Sequence, residues 1–389
     1  MKWNSIRTKV LVVLSACLVL GVGGILMLLQ YSFARNSEAL AMESVTGAQK
    51  LFQILETRET SKMKAVSETL AMNPQIRDAF SAKDRKHLLE VAGPLYPKLK
   101  AEGVTNWMFH TPEPDMAVFL RLHNPSKFGD RLGRFMDKEV VRTHAIVIGN
   151  ELAKAGFAVR IMRPFYDSRG GVTGYVEFGE EIGQFVQQMK RQTGDDYGLL
   201  LSKKFVDREF WAASSAIWKR RDNWNDHPSF VIADKTTTNE SIIQYQGELG
   251  SVPSAGTVLE RFSRGDSVFV RGIFPIHDAA NRVVGAMFVV RDISGVYMAM
   301  RKTQNLLVLL SVVGLSLATV LVLMLLNSLV FRRLEHIIMI ATRVVGGDYK
   351  SEIRVGSDDE IGQFERLFEQ FRCVFVDVLS HVPEFQENK

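Results

Sequence analysis

Two long uncharged stretches interrupt an otherwise mixed pattern of apolar and polar positions. Asn305 to Phe331, NLLVLLSVVGLSLATVLVLMLLNSLVF, carries no charged side chain, and Val10 to Phe33 is a second such run. About 20 apolar residues cross the hydrocarbon core as a helix, the one segment that satisfies its own backbone polar groups there. A buried core helix seldom exceeds about 20 uncharged residues, and such helices rarely come in pairs. Membrane spans are therefore predicted over 10–33 and 305–331. Lys2, Arg7 and Lys9 precede the first and Arg332 and Arg333 follow the second, which predicts cytoplasmic termini, with 1–9 and everything after 331 inside and 34–304 outside. A signal peptide also starts basic, but its apolar region is about 7 to 15 residues long and ends at a cleavage site. Here the run continues through Leu28, Leu29, Tyr31 and Phe33, so the first span is expected to be an uncleaved anchor.

Between the spans the pattern is that of a folded domain. Asn36 to Leu70 has few turn formers and carries Leu40, Val45, Ala48, Phe52, Leu55, Met63, Val66 and Leu70 at largely helical spacing, interrupted near Glu59. This predicts a long helix, ended or kinked at Pro74, then shorter helices over Gln75 to Leu99 closed by Pro94 and Pro97. The apolar stripe would pack on the domain core, on a second copy of the chain, or on both. From Val104 the period shortens. Trp107-Met-Phe109 and Val118 to Leu122 read as strands separated by turn chemistry at His110-Thr-Pro-Glu-Pro-Asp115. A loop over 124–130 and a helix over Arg134 to His144 follow.

One unit recurs. Arg160 to Ile182, RIMRPFYDSRGGVTGYVEFGEEI, aligns without a gap on Arg271 to Ile293, RGIFPIHDAANRVVGAMFVVRDI. Arg160, Pro164, Asp167, Val172, Gly174 and Ile182 match Arg271, Pro275, Asp278, Val283, Gly285 and Ile293. Each copy reads as strand, turn, strand, with Pro where a strand begins and Asp at the turn. Copies on the order of 110 residues apart are too distant for a solenoid. They predict two related modules, about 34–190 and 191–304, and an α+β fold of antiparallel sheets with a long N-terminal helix.

Beyond the second span, Leu334, Ile337, Ala341 and Val344 are spaced three and four apart, Gly346-Gly347-Asp348 breaks the pattern, and Ile353 and Val355 fall in a connector. Ile361, Phe364, Phe368, Phe371, Phe375 and Val378 then resume the heptad. Two heptad helices joined by a short linker bury their seams against each other and a second chain.

Composition narrows the chemistry. The net charge of +5 comes without any Lys/Arg run or recognition motif, so no nucleic-acid partner is expected. Cys17 lies in the first span and Cys373 beyond the second, leaving the exported region without a disulfide or a haem-attachment site. It holds no H-E-x-x-H, G-x-S-x-G or phosphate-loop spacing, so neither catalysis nor a cofactor is expected. His110, His123 and His144 fall on a turn, a strand and a helix with no ligand-pair spacing, and no metal site is predicted. Arg121, on a strand between apolar neighbours, and Arg142 and Arg160 in the same module suit a carboxylate held bidentately. The alternative is ion pairing with Glu139, Glu151 or Glu177. The ligand-binding candidates are Arg121, Arg142, Arg160 and His123, with Trp107, Phe109 and His110 as an aromatic wall.

The exported region resembles a double-Cache sensory domain, through AMNPQIRDAF (Ala71 to Phe80), FLRLH (Phe119 to His123), PSKFGD (Pro125 to Asp130), GNELAKAG (Gly149 to Gly156) and the two P-x-x-D-x(4)-V-x-G hairpins. It is most similar to the double sensory domains of two-component kinases, which implies small-molecule sensing by PAS-like sheets backed by a long helix. Residues 332–382 resemble a HAMP domain, through Gly-Gly-Asp at the connector and Asp359-Glu360-Ile361-Gly362 opening the second helix, although no proline follows the span and Glu369 stands where Asn is usual. That resemblance makes Asp359, Glu360, Ile361, Gly362, Phe364 and Phe368 the expected signal-relay residues and a homodimer the expected state. A tail over 383–389 closes the chain, with Pro383 ending the last helix. No kinase, cyclase or chemoreceptor output segment is present, which predicts a cytoplasmic signalling partner or a longer receptor. The expectation is an inner-membrane sensor, of chemotaxis or two-component type, for a small anionic molecule. The alternative is a membrane adaptor whose exported domain binds another protein.

Overall fold

The computed structural model describes residues 6–153, 156–217, 219–238, 242–348 and 351–380, so the expected tail with Pro383 lies outside the described residues. The chain divides into two compact units, Asn36–Met298 and the combination of Met1–Arg35 with Ala299–Lys389.

Within Asn36–Met298 the long helix α1 (Ile6–Ala71, which begins in the other unit) runs unbroken through the predicted interruption. Ala41, Val45, Ala48, Phe52, Leu55 and Met63 are buried along one stripe, and Glu59 takes the next place in that stripe, itself 3% exposed. A buried carboxylate needs charged partners, and Arg58 and Lys62 supply them. The stripe packs on the core of its own unit, with the Phe52 ring 5.9 Å from Phe185 and 6.1 Å from Phe274. Helix α2 (Pro74–Ser81) starts where expected: the Asn73 side chain accepts the N–H groups of Gln75 and Ile76, and Pro74 takes the first turn, where its missing N–H costs nothing. The same rule corrects the reading of Pro94 and Pro97. After α3 (Arg85–Ala92) they open a 3₁₀ turn at Gly93–Leu95 and helix α4 (Tyr96–Ala101) rather than closing helices.

Two five-stranded antiparallel sheets follow. The first has the order β2-β1-β5-β4-β3, from β1 (Asn106–His110), β2 (Val118–Arg121), β3 (Val147–Ala153), β4 (Gly156–Tyr166) and β5 (Val172–Glu181), with α5 (Phe135–Thr143) between β2 and β3. The second repeats it as β7-β6-β10-β9-β8, from β6 (Asp196–Ser202), β7 (Phe230–Lys235), β8 (Thr257–Arg264), β9 (Ser267–His277) and β10 (Val283–Asp292). Helix α6 (Ile182–Thr193) joins them, ending at Gly194 in the left-handed conformation, and α7 (Arg208–Ile217) lies between β6 and β7.

The recurrent hairpin is β4-β5 in one module and β9-β10 in the other. Its repeated residues have physical tasks. Asp167 accepts the N–H groups of Arg169 and Gly171, each at 2.8 Å, and Asp278 accepts those of Ala280 and Arg282 at 3.0 and 2.9 Å. A Cβ on Gly174 would sit 2.2 Å from the His110 carbonyl oxygen, and one on Gly285 would sit 2.4 Å from that of Leu200, so both glycines admit the neighbouring strand. Pro164 and Pro275 lie near the end of the first strand rather than its start. There β3 and β8 pair no further than Met162 and Ile273, and a missing N–H breaks no ladder on that side.

In the other unit the two candidate spans are helical, with no part of either apolar window buried in the protein. Gly21 approaches Leu315. Helix α8 (Ser294–Leu326, which begins in the unit Asn36–Met298) passes through a π turn at Asn327–Phe331 straight into α9 (Arg332–Val345). After the connector comes α10 (Glu360–Ser380). Ile337, Ile340 and Ile353 are buried, and the face of α10 turned to its own chain is charged: Arg333 binds Asp359 at 2.8 Å and Glu365 at 2.7 Å.

Candidate functional site

Strand alternation gives the first sheet two unlike faces. Trp107, Phe109, Val159, Ile161, Val176 and Phe178 join the apolar core shared with α1. The intervening positions Asn106, Met108, His110, Arg160, Met162 and Glu177 form the other face, which α5 and the loop over 122–134 border. This corrects the expected aromatic wall. Trp107 stacks on Phe178 with centroids 5.5 Å apart, and Phe109 meets Phe80 at 5.0 Å, both fully buried in the core. His110 is two places from Met108 and falls on the opposite face from these two rings.

That face is organised on Glu177, which is 1% exposed. Its oxygens accept from Arg160 Nη1 at 2.7 Å, Arg134 Nη1 and Nη2 at 3.1 and 2.5 Å, and lie 3.0 Å from His110 Nε2. Burial alone would push this carboxyl up, yet the two guanidiniums prevail and hold it well below the usual carboxylate range. Arg134 also reaches Asp137 at 2.9 Å and Glu151 at 3.3 Å. The donor atoms of His110, Asp137 and Glu177 lie within 4.8 Å of one another. Two arginines already neutralise these carboxylates, so the arrangement is an ion-pair network and a poor cation site.

Arg121 sits at the end of β2 with its fork closed on Asp130, at 2.6 and 2.9 Å, and a further bond of 2.9 Å to the Lys127 carbonyl. Arg142 points away on α5, paired with Glu139 and 70% exposed. The ion-pair alternative therefore describes Arg142 with Glu139 and Arg160 with Glu177, while Arg121 takes a partner from the loop that follows it.

Against this face lies a cavity of about 830 Å³. Its wall includes Met108, Arg121, His123, Arg134 and Arg160 but none of Trp107, Phe109, His110 and Arg142. His123, exposed at the cavity wall, is held below the usual imidazole range by the surrounding protein and then by the Arg121 charge. Lys100, Arg121, Lys127, Arg134, Arg160 and Arg220 face only Asp130, Glu181 and Asp234 among the lining acids, and burial pushes Glu181 and Asp234 up. Basic side chains outnumber acidic ones in the lining, while Glu177, Asp137 and Glu151 pair with Arg134 and Arg160 from behind it.

The second module is built otherwise. Phe288 takes the place of Glu177, opposite Ile273 as Glu177 is opposite Met162. Leu200, Phe230, Ile243, Leu249, Ile273 and Phe288 fill this face with an apolar cluster. Arg271, the counterpart of Arg160, is drawn to Glu260 and to the Ile242 carbonyl at 3.1 Å. The residues missed by sequence reasoning are Asp130, Arg134, Glu181, Arg220 and, as an organising charge, Glu177. A glutamate between Val176 and Phe178, on a strand paired with the one that carries Arg160, was the available signal.

The model of the double sensory domain of two-component sensor kinases matches residues 43–297. The periplasmic domain of Vibrio cholerae LuxQ is similar in structure at 11% identity and a TM-score of 0.40, over 64% of this chain and 99% of that one. The ligand-binding domain of the Campylobacter jejuni chemoreceptor Tlp3, in complex with 4-methylisoleucine, is similar at 11% identity and a TM-score of 0.40, over 67% of this chain and 92% of that one. No curated protein matches the chain.

Proposed function

The chain belongs to the family of double sensory domains of two-component sensor kinases, and from that premise we propose that it is a transmembrane sensor that binds a small anionic molecule in the cavity of its first module. The observation that carries this reading is the excess of basic over acidic side chains in the lining of a cavity of about 830 Å³, within the range of small-ligand sites. The filled apolar face of the second module leaves the first as the place for a ligand. An adaptor would instead use a contiguous exposed apolar patch.

The rest of the sensor follows from the apolar helices and the heptads. Basic residues at Lys2, Arg7, Lys9, Arg332 and Arg333 put both termini in the cytoplasm. Ligand binding displaces α8, whose helix continues through the π turn into α9. The pair α9 and α10 acts as a HAMP domain, dimeric through α10, and hands the signal to a cytoplasmic partner. The large apolar side chains Phe364, Leu367, Phe371, Val374 and Val378 are exposed in a single chain, as a seam awaiting a second copy would be.

The test is a thermal-shift screen of Asn36–Met298, a compact unit with its own core, against anionic, zwitterionic, cationic and neutral metabolites. A ligand at 100 times its Kd adds about 2.7 kcal/mol. Stabilisation confined to cationic or neutral compounds would overturn the assignment.

A further inference from the structure

The cavity does not end at the first module. Past the first turn of α6, its wall passes to α7 and β7 of the second module, where Trp211, Ser214, Arg220 and Asp234 line it. Among the described residues no carboxylate lies within salt-bridge distance of Arg220, and the nearest charges that act on it are Asp234 and Glu181 of the same wall. Its Nη1 donates to the Ala233 carbonyl, its Nη2 reaches Ser214 Oγ at 3.4 Å, and its Nε is buried with no partner. The guanidinium lies 5.6 Å from the ring of Trp211, which is 3% exposed and whose Nε1–H is also buried without a partner. In the first-module part of the wall Arg160, 2% exposed, spends Nη1 on Glu177 and leaves its Nε buried and unpartnered. Glu181, held by Asn106 Nδ2 at 3.2 Å, feels both guanidiniums. Leu152, Phe157, Leu199 and Leu201 line the same cavity.

Two guanidiniums from different modules in one cavity wall, with apolar side chains lining it as well, suit a ligand with an anion at each end and a hydrocarbon middle. We infer that the cavity is a bipartite site for an α,ω-dicarboxylate, one carboxylate at Arg160 in the first module and the other at Arg220 and Trp211 in the second, with the methylene chain on Leu152, Phe157, Leu199 and Leu201. Such a ligand ties the two modules together, which a ligand confined to the first sheet would not do. The inference rests on the reading of this cavity as the ligand site and adds to it the ligand class and the second anchor.

The experiment is titration calorimetry on the full chain in detergent with succinate, adipate, suberate and sebacate, against hexanoate and octanoate. The expected result is that a dicarboxylate binds more than tenfold more tightly than the monocarboxylate of its length, and that Arg220→Gln removes that preference while the monocarboxylate affinity stays within about threefold. Trp211→Phe, which keeps the ring and deletes the donor, should weaken the dicarboxylate alone. The melting temperature of each unliganded variant reports that it is folded. A dicarboxylate preference that survives in both variants, or acids of equal length binding equally, overturns the second anchor and leaves an anion sensor of the first module. No binding of any acid overturns the second anchor and the anion-sensing reading together.

Discussion

Arg121 closes on Asp130 with both arms of its fork, at 2.6 and 2.9 Å, and the two partners are unequally buried, at 7% and 39% side-chain exposure. That inequality sets an asymmetric cost. Removing Arg121 leaves a carboxylate that water can reach, whereas removing Asp130 leaves a guanidinium in the wall with only the Lys127 carbonyl to hold it.

Asp130→Ala is therefore expected to destabilise the sensory unit more than Arg121→Met does, by about 1–3 kcal/mol against about 1 or less. Urea unfolding of the two variants measures the difference. Equal costs, or the reverse order, would mean that the pair is not what orders the loop between them.

Glu177 and Arg160 give a second expectation. Glu177→Leu strands Arg160 and deprives Arg134 of one of its carboxylates, at a cost of about 3–5 kcal/mol. Adding Arg160→Met should recover part of that loss, because replacing a buried pair by apolar side chains is often neutral. The second module, which has Phe288 in the place of Glu177, is built closer to that apolar form. A double-mutant cycle by denaturant unfolding reports the coupling, and strictly additive costs would show that the two charges do not depend on each other.

Glu180 on β5 and Glu59 on α1 are two carboxyls buried side by side, with Lys62 reaching Glu180 at 3.5 Å and Arg58 binding Glu59 at 2.7 Å. Burial raises Glu180, opposed by Lys62 and assisted by the charge of Glu59, to about 7. Glu59 moves down, since Lys62 and Arg58 outweigh its burial. A carboxyl raised on folding binds its proton more tightly in the native state, so its stabilisation is complete below the ordinary carboxylate range and is lost as pH rises through about 7. The Glu59 contribution has the opposite sign and is lost only at acid pH. Between about pH 6 and 8 the melting temperature should fall for the native sequence and stay flat for Glu180→Gln. Parallel curves for the two proteins would place the titration elsewhere.

Much of this architecture was legible because it is written in local periods. The repeated hairpin located the central strand of each sheet and its neighbour, Pro74 marked the end of the long helix, and the uncharged runs marked both membrane-length helices. What escaped depends on partners distant in sequence. Glu59 read as a break in a helical stripe because β5, whose Glu180 lies against it, is over a hundred residues on, although its charged partners Arg58 and Lys62 are local. Strand β3 carries Gly149, Asn150 and Glu151, which hide its alternation. Grouping Trp107, Phe109 and His110 as one wall overlooked the two-residue period of the strand that carries them. Arg220 lies just past α7 in a stretch with no periodic pattern, and only the fold brings it to the cavity that holds Arg160.

Helices α9 and α10 offer the sharpest separation of contacts within a chain from contacts between chains. On α10 the charged side chains Glu365 and Arg372 are buried, Glu365 against Arg333 of α9 and Arg372 on Glu369, which also accepts the Ile353 N–H at 2.9 Å. Glu369 thus ties α10 to the connector. The opposite side exposes Phe371 at 65%, Leu367 at 64% and Val374 at 64%, spaced as the seam of a coiled coil. If that seam meets a second copy, Phe371→Asp puts a charge into the shared core at a cost of several kcal/mol and splits the dimer, while the fold of each chain's own pair stays intact. Glu365→Gln should do the reverse, loosening α9 from α10 and sparing the seam. Cys373 is exposed two residues from Phe371, and with Cys17→Ser it becomes the single thiol for membrane cross-linking. Cross-linking should collapse in Phe371→Asp and persist in Glu365→Gln. Undiminished cross-linking in Phe371→Asp would mean that this apolar side faces something other than its own copy.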